Sequence, residues 1–361
     1  MKAIILVGGE ATRLRPLTPN TPKAMLPVLN TPFLSWLIRR LKSHGTSDII
    51  LTQSHFAQAI KDHFGDGRGL DVRLNYVSEA VPLGTAGAVK NSEALLDEPF
   101  LALNGDVFTD LDNSAMIAFH RKKKALVTIA LTPVADPSSY GLIETDSNSR
   151  VLNFLEKPRP EQITTNMINA GTYVLEPEVL KRIPPGTKFS FERELFPQLL
   201  AQGEPVYAYS SNAYWIDMGT PENYLQLHKD LLGSRSTQYN PDKAKTVVIG
   251  EGSTVDPEAE IEGPVIIDRD CTIKRGAKIK GPVVIGTGTV ISEDALVDTA
   301  IIWQEVMVGP NVTVKESIVA HHCRLEAGCR LLKAVLGDHV TVLAQSNLEP
   351  DSRIPAGTVA P

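Results

Sequence analysis

Two glycines followed by basic residues lie in the sequence LVGGEATRLRPLT, residues 6–18. Gly8 and Gly9 let backbone N–H groups approach an anion closely, because no side chain intervenes. Arg13 can bind phosphate oxygens through two parallel hydrogen bonds, and Lys23 adds a second positive charge. The segment has neither the GxGxxG spacing of a dinucleotide-binding loop nor the terminal GK[ST] of a P-loop. These residues therefore indicate a phosphate-binding loop of another kind.

Two aspartates follow apolar, strand-like segments: Asp106 in LNGD and Asp217 in YWIDMG. A lone aspartate at a strand end usually caps a turn. Two of them at a phosphate site suggest instead the one or two carboxylates that Mg²⁺ prefers, with phosphates and water filling its other positions. We expect Asp106 and Asp217 to bind Mg²⁺.

The elements that must position these residues alternate between strand-like and helical patterns up to about residue 232. The strand-like segments are KAIILV (2–7), DIILTQ (48–53), VRLNYVSE (72–79) and FLALNGD (100–106). Between the first two, apolar residues recur with the spacing of a helix face, at Leu34, Leu37, Ile38 and Leu41. This alternation predicts βαβ units and the α/β class, with a Rossmann-like, mostly parallel sheet. Ligand-binding loops of such a sheet lie at the carboxyl ends of its strands, where residues 6–18 begin.

A polar segment, 233–245, precedes a region with a different period. Aliphatic residues then recur every six positions in sets that start at 249, 267, 285, 302, 319 and 336, so three hexads span 18 or 17 residues. A triangular parallel β-solenoid has this period, because each coil places one inward aliphatic on each of three walls. The predicted inward residues are Ile249, Val255, Ile261, Ile267, Ile273, Ile279, Ile285, Ile291, Val297, Ile302, Val308, Val314, Val319, Leu325, Leu331, Leu336, Val342 and Leu348. The pattern resembles the left-handed β-helix of hexapeptide-repeat proteins.

The solenoid could carry an activity of its own, since several acyltransferases share this architecture and use a histidine at a coil edge. His321, His322 and His339 are the candidates. The sequence shows no acyl-CoA feature, so self-association or regulation is the favoured role for the solenoid.

Composition excludes several classes of function. The 361 residues contain 36 Lys and Arg against 42 Asp and Glu, a net charge of −6, so no overall positive field attracts nucleic acid or an anionic membrane. The three cysteines, Cys271, Cys323 and Cys329, lack metal-ligand spacing and are typical of a reducing compartment. No segment reaches the length of a membrane span, and the first residues lack the pattern of a signal peptide. We expect a cytoplasmic protein.

Several motifs in the first half together resemble the sugar-1-phosphate nucleotidyltransferase family. They are GGEATRLRPLTPNTPKAMLPV (8–28), PLGTAGA (82–88), LNGDVF (103–108), FLEKP (154–158), NAGTYV (169–174) and WIDMGTPENY (215–224). Some members, notably mannose-1-phosphate guanylyltransferases, also carry a C-terminal β-helix. The resemblance implies a GT-A-like catalytic domain over 1–232, a linker over 233–245 and a left-handed β-helix over 246–361. It also implies that the enzyme joins a nucleoside triphosphate and a sugar 1-phosphate into a nucleotide sugar, with release of pyrophosphate.

The resemblance also implies roles for individual residues. Arg13, Lys23, Asp106 and Lys157 would be catalytic, and Asp106 and Asp217 would be the metal ligands. The nucleotide would contact Gly8, Gly9, Ala11, Thr12, Arg13, Lys23, Glu79, Gly84 and Thr85. The sugar phosphate would contact Gly141, Glu156, Lys157 and Asn169. Arg15 suits a phosphate contact and a surface salt bridge equally well.

The sequence departs from the family pattern at two positions: Ala11 replaces a loop glycine, and Ala24 replaces the proline of a Lys-Pro pair. Neither change removes a charged group, but both weaken any assignment of the base. GTP with mannose 1-phosphate is the favoured pair, and glucose 1-phosphate with UTP, dTTP or ATP is the alternative.

A catalytically silent regulatory subunit is the alternative from another class. Such a subunit would be expected to lose Arg13, Lys23, Asp106 or Asp217, and all four are present. A homo-oligomer formed through the β-helix is expected, because each coil buries its face only against its neighbours.

Overall fold

The computed structural model describes residues 1–9, 11–53, 57–239 and 247–361. Contacts between residues divide the chain into two compact units, Met1–Gly9 with Leu34–Trp215 and Glu10–Phe33 with Ile216–Pro361. Much of the predicted phosphate-binding loop thus belongs to the same unit as the hexad region. The predicted domain boundaries stay a prediction, and part of the predicted linker, residues 240–245, lies outside the described residues.

Helices separate the four strands that the sequence predicts, whereas four later strands between residues 127 and 175 follow one another without an α-helix between them. The strands are β1 (Lys2–Leu6), β2 (Pro27–Val28), β3 (Thr31–Pro32), β4 (Asp48–Gln53), β5 (Arg73–Ser78), β6 (Phe100–Asn104), β7 (Val107–Thr109), β8 (Val127–Pro133), β9 (Gly141–Thr145), β10 (Val151–Glu156), β11 (Met167–Leu175), β12 (Val206–Ser210) and β13 (Trp215–Asp217). The helices are α1 (Phe33–Ser43), α2 (Ala57–Phe64), α3 (Gly84–Asn91), α4 (Asn113–Lys123), α5 (Phe196–Ala201) and α6 (Pro221–Leu232).

The first unit is built on a sheet with the strand order β10-β9-β11-β6-β1-β4-β5, and β8 and β12 extend it beside β11. The four strands predicted from the sequence, β6, β1, β4 and β5, pair in parallel. Strand β11 joins them antiparallel through β6, so the sheet is mixed with a parallel core. The carboxyl ends of β1 and β6 therefore lie side by side, with Leu6 opposite Asn104.

Helix α1 confirms the predicted apolar face. Leu34, Leu37, Ile38 and Leu41 are all buried, and the spacing that brings them to one side of the helix also brings its basic residues to the other. No helix among the residues that the structure describes is long and apolar enough to cross a membrane.

The hexad region forms three walls of parallel strands. The strands in chain order are β14 (Val247–Ile249), β15 (Thr254–Val255), β16 (Glu260–Glu262), β17 (Val265–Ile267), β18 (Thr272–Ile273), β19 (Lys278–Lys280), β20 (Val283–Ile285), β21 (Val290–Ile291), β22 (Leu296–Asp298), β23 (Ile301–Ile302), β24 (Met307–Val308), β25 (Thr313–Lys315), β26 (Ile318–Val319), β27 (Arg324–Leu325), β28 (Arg330–Leu332), β29 (Val335–Leu336), β30 (Thr341–Val342), β31 (Arg353–Ile354) and β32 (Val359–Ala360). Every third strand belongs to the same wall up to β28, and the register places predicted inward residues opposite one another, as in Ile267, Ile285 and Ile302. This is the arrangement of the predicted β-helix.

The interior of the β-helix is a single apolar column. Its buried residues include Ile267, Val297 and Leu331, each with at most 1% of its surface exposed. Ile249 in the first coil is 47% exposed, because no further coil covers that end in the described part of the chain. The three cysteines are buried in the column and free, as expected without a disulfide framework.

A seventh, incomplete coil follows the six that the sequence analysis identifies. It consists of β31 and β32, which pair in parallel with β29 and β30. The hexad series as counted ends at Leu348 and therefore misses this coil.

Candidate active site

The predicted phosphate-binding loop contains a left-handed residue, Ala11. Ala11 has φ 48°, a conformation that costs a residue with a side chain about 1 kcal/mol and that glycine adopts freely. Its carbonyl accepts hydrogen bonds from the Leu14 N–H and the Thr18 hydroxyl, both at 3.0 Å. Ala11 thus keeps the backbone conformation that the expected glycine would favour. Thr12 then opens a short 3₁₀ helix, Thr12–Leu14, that carries Arg13.

Two of the predicted catalytic cations meet on one carboxylate in the second unit. Arg13 Nη2 lies 3.5 Å from Asp217 Oδ2, and Lys23 Nζ lies 3.7 Å from Asp217 Oδ1. The Arg13 side chain is 63% exposed, whereas those of Lys23 and Asp217 are only 12% and 14% exposed. The arrangement offers an anion one exposed guanidinium and one nearly buried ammonium group. Arg15, by contrast, is exposed next to a buried Pro16.

Gly219 makes the contact between Arg13 and Asp217 possible. A Cβ atom at this position would lie 2.6 Å from Arg13 Nη2 and 2.8 Å from Asp217 Oδ1. Both distances are shorter than a van der Waals contact, so the guanidinium occupies space that only glycine leaves open. Nothing in the local sequence WIDMGTPENY predicts this role for Gly219.

In the first unit, Gly8 and Gly9 follow β1 and Asp106 follows β6. Since β1 and β6 are parallel neighbours, these three residues leave the same edge of the sheet. Gly9 is exposed, and a Cβ atom there would meet nothing within 4 Å. The edge is therefore open at Gly9, and phosphate binding by this loop stays a prediction.

Glu79 and the start of α3 form a second group in the first unit. Glu79 follows β5, its Oε2 atom accepts a hydrogen bond from the Leu83 N–H at 2.8 Å, and burial raises the pKa of its carboxyl group. Gly84 opens α3 with φ 73°, which favours glycine. The Thr85 hydroxyl donates to Glu192 Oε2 and accepts from the Phe191 N–H, both at 2.9 Å. Thr85 therefore uses its side chain to fix the helix start, and the Ala86 and Gly87 N–H groups donate to the Phe189 carbonyl, both at 3.0 Å.

The predicted sugar-phosphate residues lie on β9, β10 and β11. Gly141 and Glu156 are directly opposite each other in the antiparallel pair of β9 and β10. Burial, and then the negative charge of Glu192, raise the pKa of the Glu156 carboxyl group. Lys157 is exposed after β10 with φ 50°, and its N–H donates to the Tyr140 carbonyl at 3.1 Å.

A network that sequence reasoning missed connects these groups. Asn169 Nδ2 donates to the Tyr173 hydroxyl at 2.8 Å, and that hydroxyl donates to Glu192 Oε1 at 3.1 Å. The other carboxylate oxygen of Glu192 holds Thr85, so one acid links β11 to the start of α3. Glu192 lies in the ordinary sequence FEREL, which gives no signal for this role. Glu192 thus positions two of the predicted binding residues, Thr85 directly and Asn169 through the Tyr173 hydroxyl.

The solenoid histidines form a column of rings. His322 stacks on His339 with ring centroids 4.8 Å apart, and His321 lies 4.6 Å from Trp303. His322 Nδ1 is 3.1 Å from Glu305 Oε2. Within 1–9, 11–53, 57–239 and 247–361, no three His, Cys, Asp or Glu side chains are grouped so that they could hold a metal ion. A metal ion could still be held by one or two carboxylates together with a bound phosphate.

Comparisons with known proteins match both regions. Residues 2–234 match the family described as nucleotidyl transferase, and residues 261–359 match the GMPPB C-terminal domain. A mannose-1-phosphate guanylyltransferase of Mycobacterium tuberculosis is 40% identical over 74% of this chain and 79% of its own length. A UTP–glucose-1-phosphate uridylyltransferase of Synechocystis is 35% identical over 88% of this chain and 87% of its own length. The crystal structure of HddC from Yersinia pseudotuberculosis complexed with GMP-PN is 31% identical, with a TM-score of 0.55, and the match covers 63% of this chain and 97% of that protein.

Proposed function

The chain belongs to the nucleotidyl transferase family, and from that premise we propose that it makes GDP-mannose from GTP and mannose 1-phosphate, with release of pyrophosphate. The guanylyltransferase among its relatives and the solved structure with GMP-PN support the guanine nucleotide. The uridylyltransferase relative, which matches more of the chain at lower identity, supports UTP with glucose 1-phosphate as the second candidate.

The chemistry brings two anions together. An oxygen of the sugar phosphate attacks the α-phosphorus, the new P–O bond forms, and the bond to the leaving pyrophosphate breaks with its electron pair remaining on the departing oxygen. Catalysis of this step consists mainly of positioning and of neutralising charge. The observation that carries the proposal is the convergence of Arg13 and Lys23 on Asp217, at 3.5 and 3.7 Å.

These two cations would neutralise the leaving pyrophosphate. In the structure they share one carboxylate, and a triphosphate offers more negative charge than that carboxylate does. Arg13 is exposed enough to turn towards an arriving phosphate, while Lys23 is nearly buried and supplies a fixed charge. Lys157, exposed after β10, would hold the phosphate of the incoming sugar, with Gly141, Glu156 and Asn169 contacting the sugar itself.

We further propose Mg²⁺ as the cofactor, with Asp106 and Asp217 as its carboxylate ligands. The donor set fits this ion, because both side chains offer hard carboxylate oxygens and Mg²⁺ takes its remaining ligands from phosphate and water. When bound, the ion would supply positive charge that reduces the repulsion between the two phosphates. Asp217 already holds two cationic side chains, so its carboxylate is fixed in place before any ligand arrives.

Glu79 favours guanine over uracil. A carboxylate accepts hydrogen bonds, and guanine presents an N–H and an amino group side by side, whereas uracil presents one N–H between two carbonyl oxygens. The N–H of Leu83 holds Glu79 Oε2 at 2.8 Å, which fixes the direction of the carboxylate. Gly8, Gly9, Ala11, Thr12, Gly84 and Thr85 would contribute the surrounding contacts to the nucleotide, in part through their backbone groups.

Pyrophosphate release tests the proposal. The full-length protein is assayed with Mg²⁺ and each combination of GTP, UTP, dTTP or ATP with mannose or glucose 1-phosphate. We expect the highest kcat/KM with GTP and mannose 1-phosphate, and a large loss in Arg13→Gln. Arg68→Gln, at an exposed arginine that pairs with Asp66, is the matched control and should keep full activity. A preference for another pair would contradict the substrate assignment, and no turnover with any pair would contradict the enzymatic function.

A homo-oligomer formed through the β-helix is also proposed. The exposed apolar residue at the first coil supports it, since Ile249 occupies an inward position of the column and is 47% exposed. Sedimentation of the full-length protein as a monomer at micromolar concentration would contradict it. The cytoplasmic location and the expectation of no nucleic-acid or membrane partner stay predictions.

A further inference from the structure

Within the second unit, residues 11–33 lie against the β-helix. Asn30 Nδ2 donates to the Ile285 carbonyl at 3.0 Å. The Trp303 indole N–H donates to the Tyr224 hydroxyl at 3.1 Å, and that hydroxyl donates to the Pro27 carbonyl. Contacts of this kind come from the third and fourth coils. The solenoid therefore supports the far end of the loop that carries Arg13 and Lys23.

The seventh coil reaches the other end of the same loop through Arg353. Its Nη1 atom donates to the Arg13 carbonyl at 3.3 Å, and its Nη2 atom donates to Glu222 Oε1 at 2.8 Å. The two nitrogens of one planar guanidinium thus join two acceptors that are far apart in sequence. A lysine could not do this with the same geometry, because its ammonium group is a single point charge.

Glu222 connects this contact to the backbone of Asp217, whose carboxylate lies beside Arg13 and Lys23. It lies in the first turn of α6, which begins directly after the segment 217–220. Thr220 caps the helix by accepting a hydrogen bond from the Asn223 N–H at 3.2 Å, and Asn223 Nδ2 donates to the Asp217 carbonyl at 2.8 Å. The position of Glu222 relative to Asp217 is therefore fixed by the helix start.

We propose that Arg353 is a positioning residue for nucleotide binding, which sets the backbone at Arg13 so that its side chain meets Asp217 and then the triphosphate. This inference rests on the proposed function. A role in overall stability does not account for the contact, because the side chains of Arg353 and Glu222 are 45% and 68% exposed and exposed ion pairs contribute little. The backbone carbonyl of Arg13 is, in contrast, the group that fixes where its side chain begins.

The test compares Arg353→Ala with Arg324→Ala in the full-length protein. Arg324 is a matched control, since it is also an exposed arginine that precedes an inward aliphatic residue, and its strand β27 belongs to another wall. Hydrogen exchange of residues 11–33 is measured without substrate, and GTP binding with Mg²⁺ is measured by calorimetry. We expect Arg353→Ala to speed exchange in 11–33 about tenfold and to weaken GTP binding about tenfold, and Arg324→Ala to change neither.

Kinetics separate a positioning role from general loosening. In Arg353→Ala the KM for GTP should rise or kcat fall, while the KM for mannose 1-phosphate stays within twofold of its wild-type value. Arg353→Lys should recover only part of the loss, because it can pair with Glu222 or with the Arg13 carbonyl but not bridge them. Glu222→Gln, which keeps an acceptor but removes the charge, should fall between the wild type and Arg353→Ala.

Unchanged exchange in 11–33 would overturn the inference, whatever the activity. Faster exchange with unchanged GTP binding would also overturn it, because the contact would then have no bearing on the nucleotide. Should Arg353→Ala fail to fold, the Arg353→Lys and Glu222→Gln variants give the same two measurements. If the wild type binds GTP but turns over no sugar phosphate, the proposed function fails while exchange and binding still decide the role of Arg353.

Discussion

Gly219→Ala separates stability from activity at the Arg13–Asp217 contact. The new methyl carbon would lie 2.6 Å from Arg13 Nη2 and 2.8 and 3.1 Å from the two Asp217 carboxylate oxygens. A comfortable separation of such atoms is about 3.5 Å, so the guanidinium must move by about 1 Å. The exposed end of the Arg13 side chain can move, whereas Asp217 is 14% exposed.

The expected effects on stability and on activity differ in size. Gly219 does not have a left-handed φ, so alanine fits the backbone and would stabilise the folded state by about 0.4–1 kcal/mol through the unfolded chain. The displaced guanidinium and the crowding of the Asp217 carboxylate offset this gain, and the net change in the free energy of unfolding should stay within about 1 kcal/mol. A displacement of about 1 Å at a group that positions substrate costs up to about 10²-fold in rate, or about 2.7 kcal/mol of transition-state stabilisation.

The assay is pyrophosphate release under kcat/KM conditions, with the melting temperature measured on the same samples. Gly69→Ala is the matched control, because a Cβ atom at Gly69 would meet nothing within 4 Å and its backbone is likewise not left-handed. We expect Gly219→Ala to lose activity by one to two orders of magnitude at an unchanged melting temperature, and Gly69→Ala to keep both. Full activity in Gly219→Ala would refute the assignment of Arg13 as a catalytic residue. A loss of activity accompanied by a lower melting temperature would refute the claim that the substitution affects activity without affecting stability.

Two further predictions concern titration. Burial lowers the pKa of His228 to about 4. Between pH 6.5 and 4 the unfolded chain therefore binds a proton that the folded chain does not. The free energy of unfolding thus falls as the pH falls, by up to about 3 kcal/mol. His228→Gln should remove this part of the pH dependence of urea unfolding, and an unchanged difference between pH 7 and pH 4.5 would contradict the assignment. Glu192→Gln removes a negative charge that raises the pKa of Glu156, so the Glu156 pKa should fall. Carbon-13 NMR titration of the carboxyl groups measures it, and a constant or higher value would count against the network.

Periodic burial is the part of the fold that the sequence predicts well. The helix face of α1 and the hexads of the solenoid each repeat one physical requirement, which is to place an apolar residue inward once per turn or once per wall. Leu34 and Ile285 are buried for this reason. The pattern is recognised from neighbouring residues alone, without knowledge of contacts between residues that are distant in sequence. The first and last coils are less predictable, because end coils lack a neighbour on one side, as the exposure of Ile249 illustrates.

The sequence predicts the candidate site only at positions where the residue type itself indicates a chemical role. Arg13, Lys23 and Asp217 carry charges that the reaction needs, and the structure brings these three together. Glu192 and Arg353 carry the same kinds of charge, but their partners are distant in sequence and no local spacing points to them. The left-handed conformation of Ala11 is not predictable from the sequence for another reason. Glycine indicates such a conformation, whereas alanine does not.

The attachment of residues 11–33 to both the third and the seventh coil restricts how the solenoid can change in length. Successive strands of one wall are about 4.8 Å apart, so four steps from Ile285 to Arg353 span about 19 Å. Deleting one 17-residue repeat inside this interval would keep every aliphatic facing inward, yet it would carry the Arg353 guanidinium a full strand spacing away from Arg13. Repeats can therefore be gained or lost freely only before Ile285. Between Ile285 and Arg353 the number of coils must stay constant, because residues 11–33 contact the solenoid at both ends of this interval.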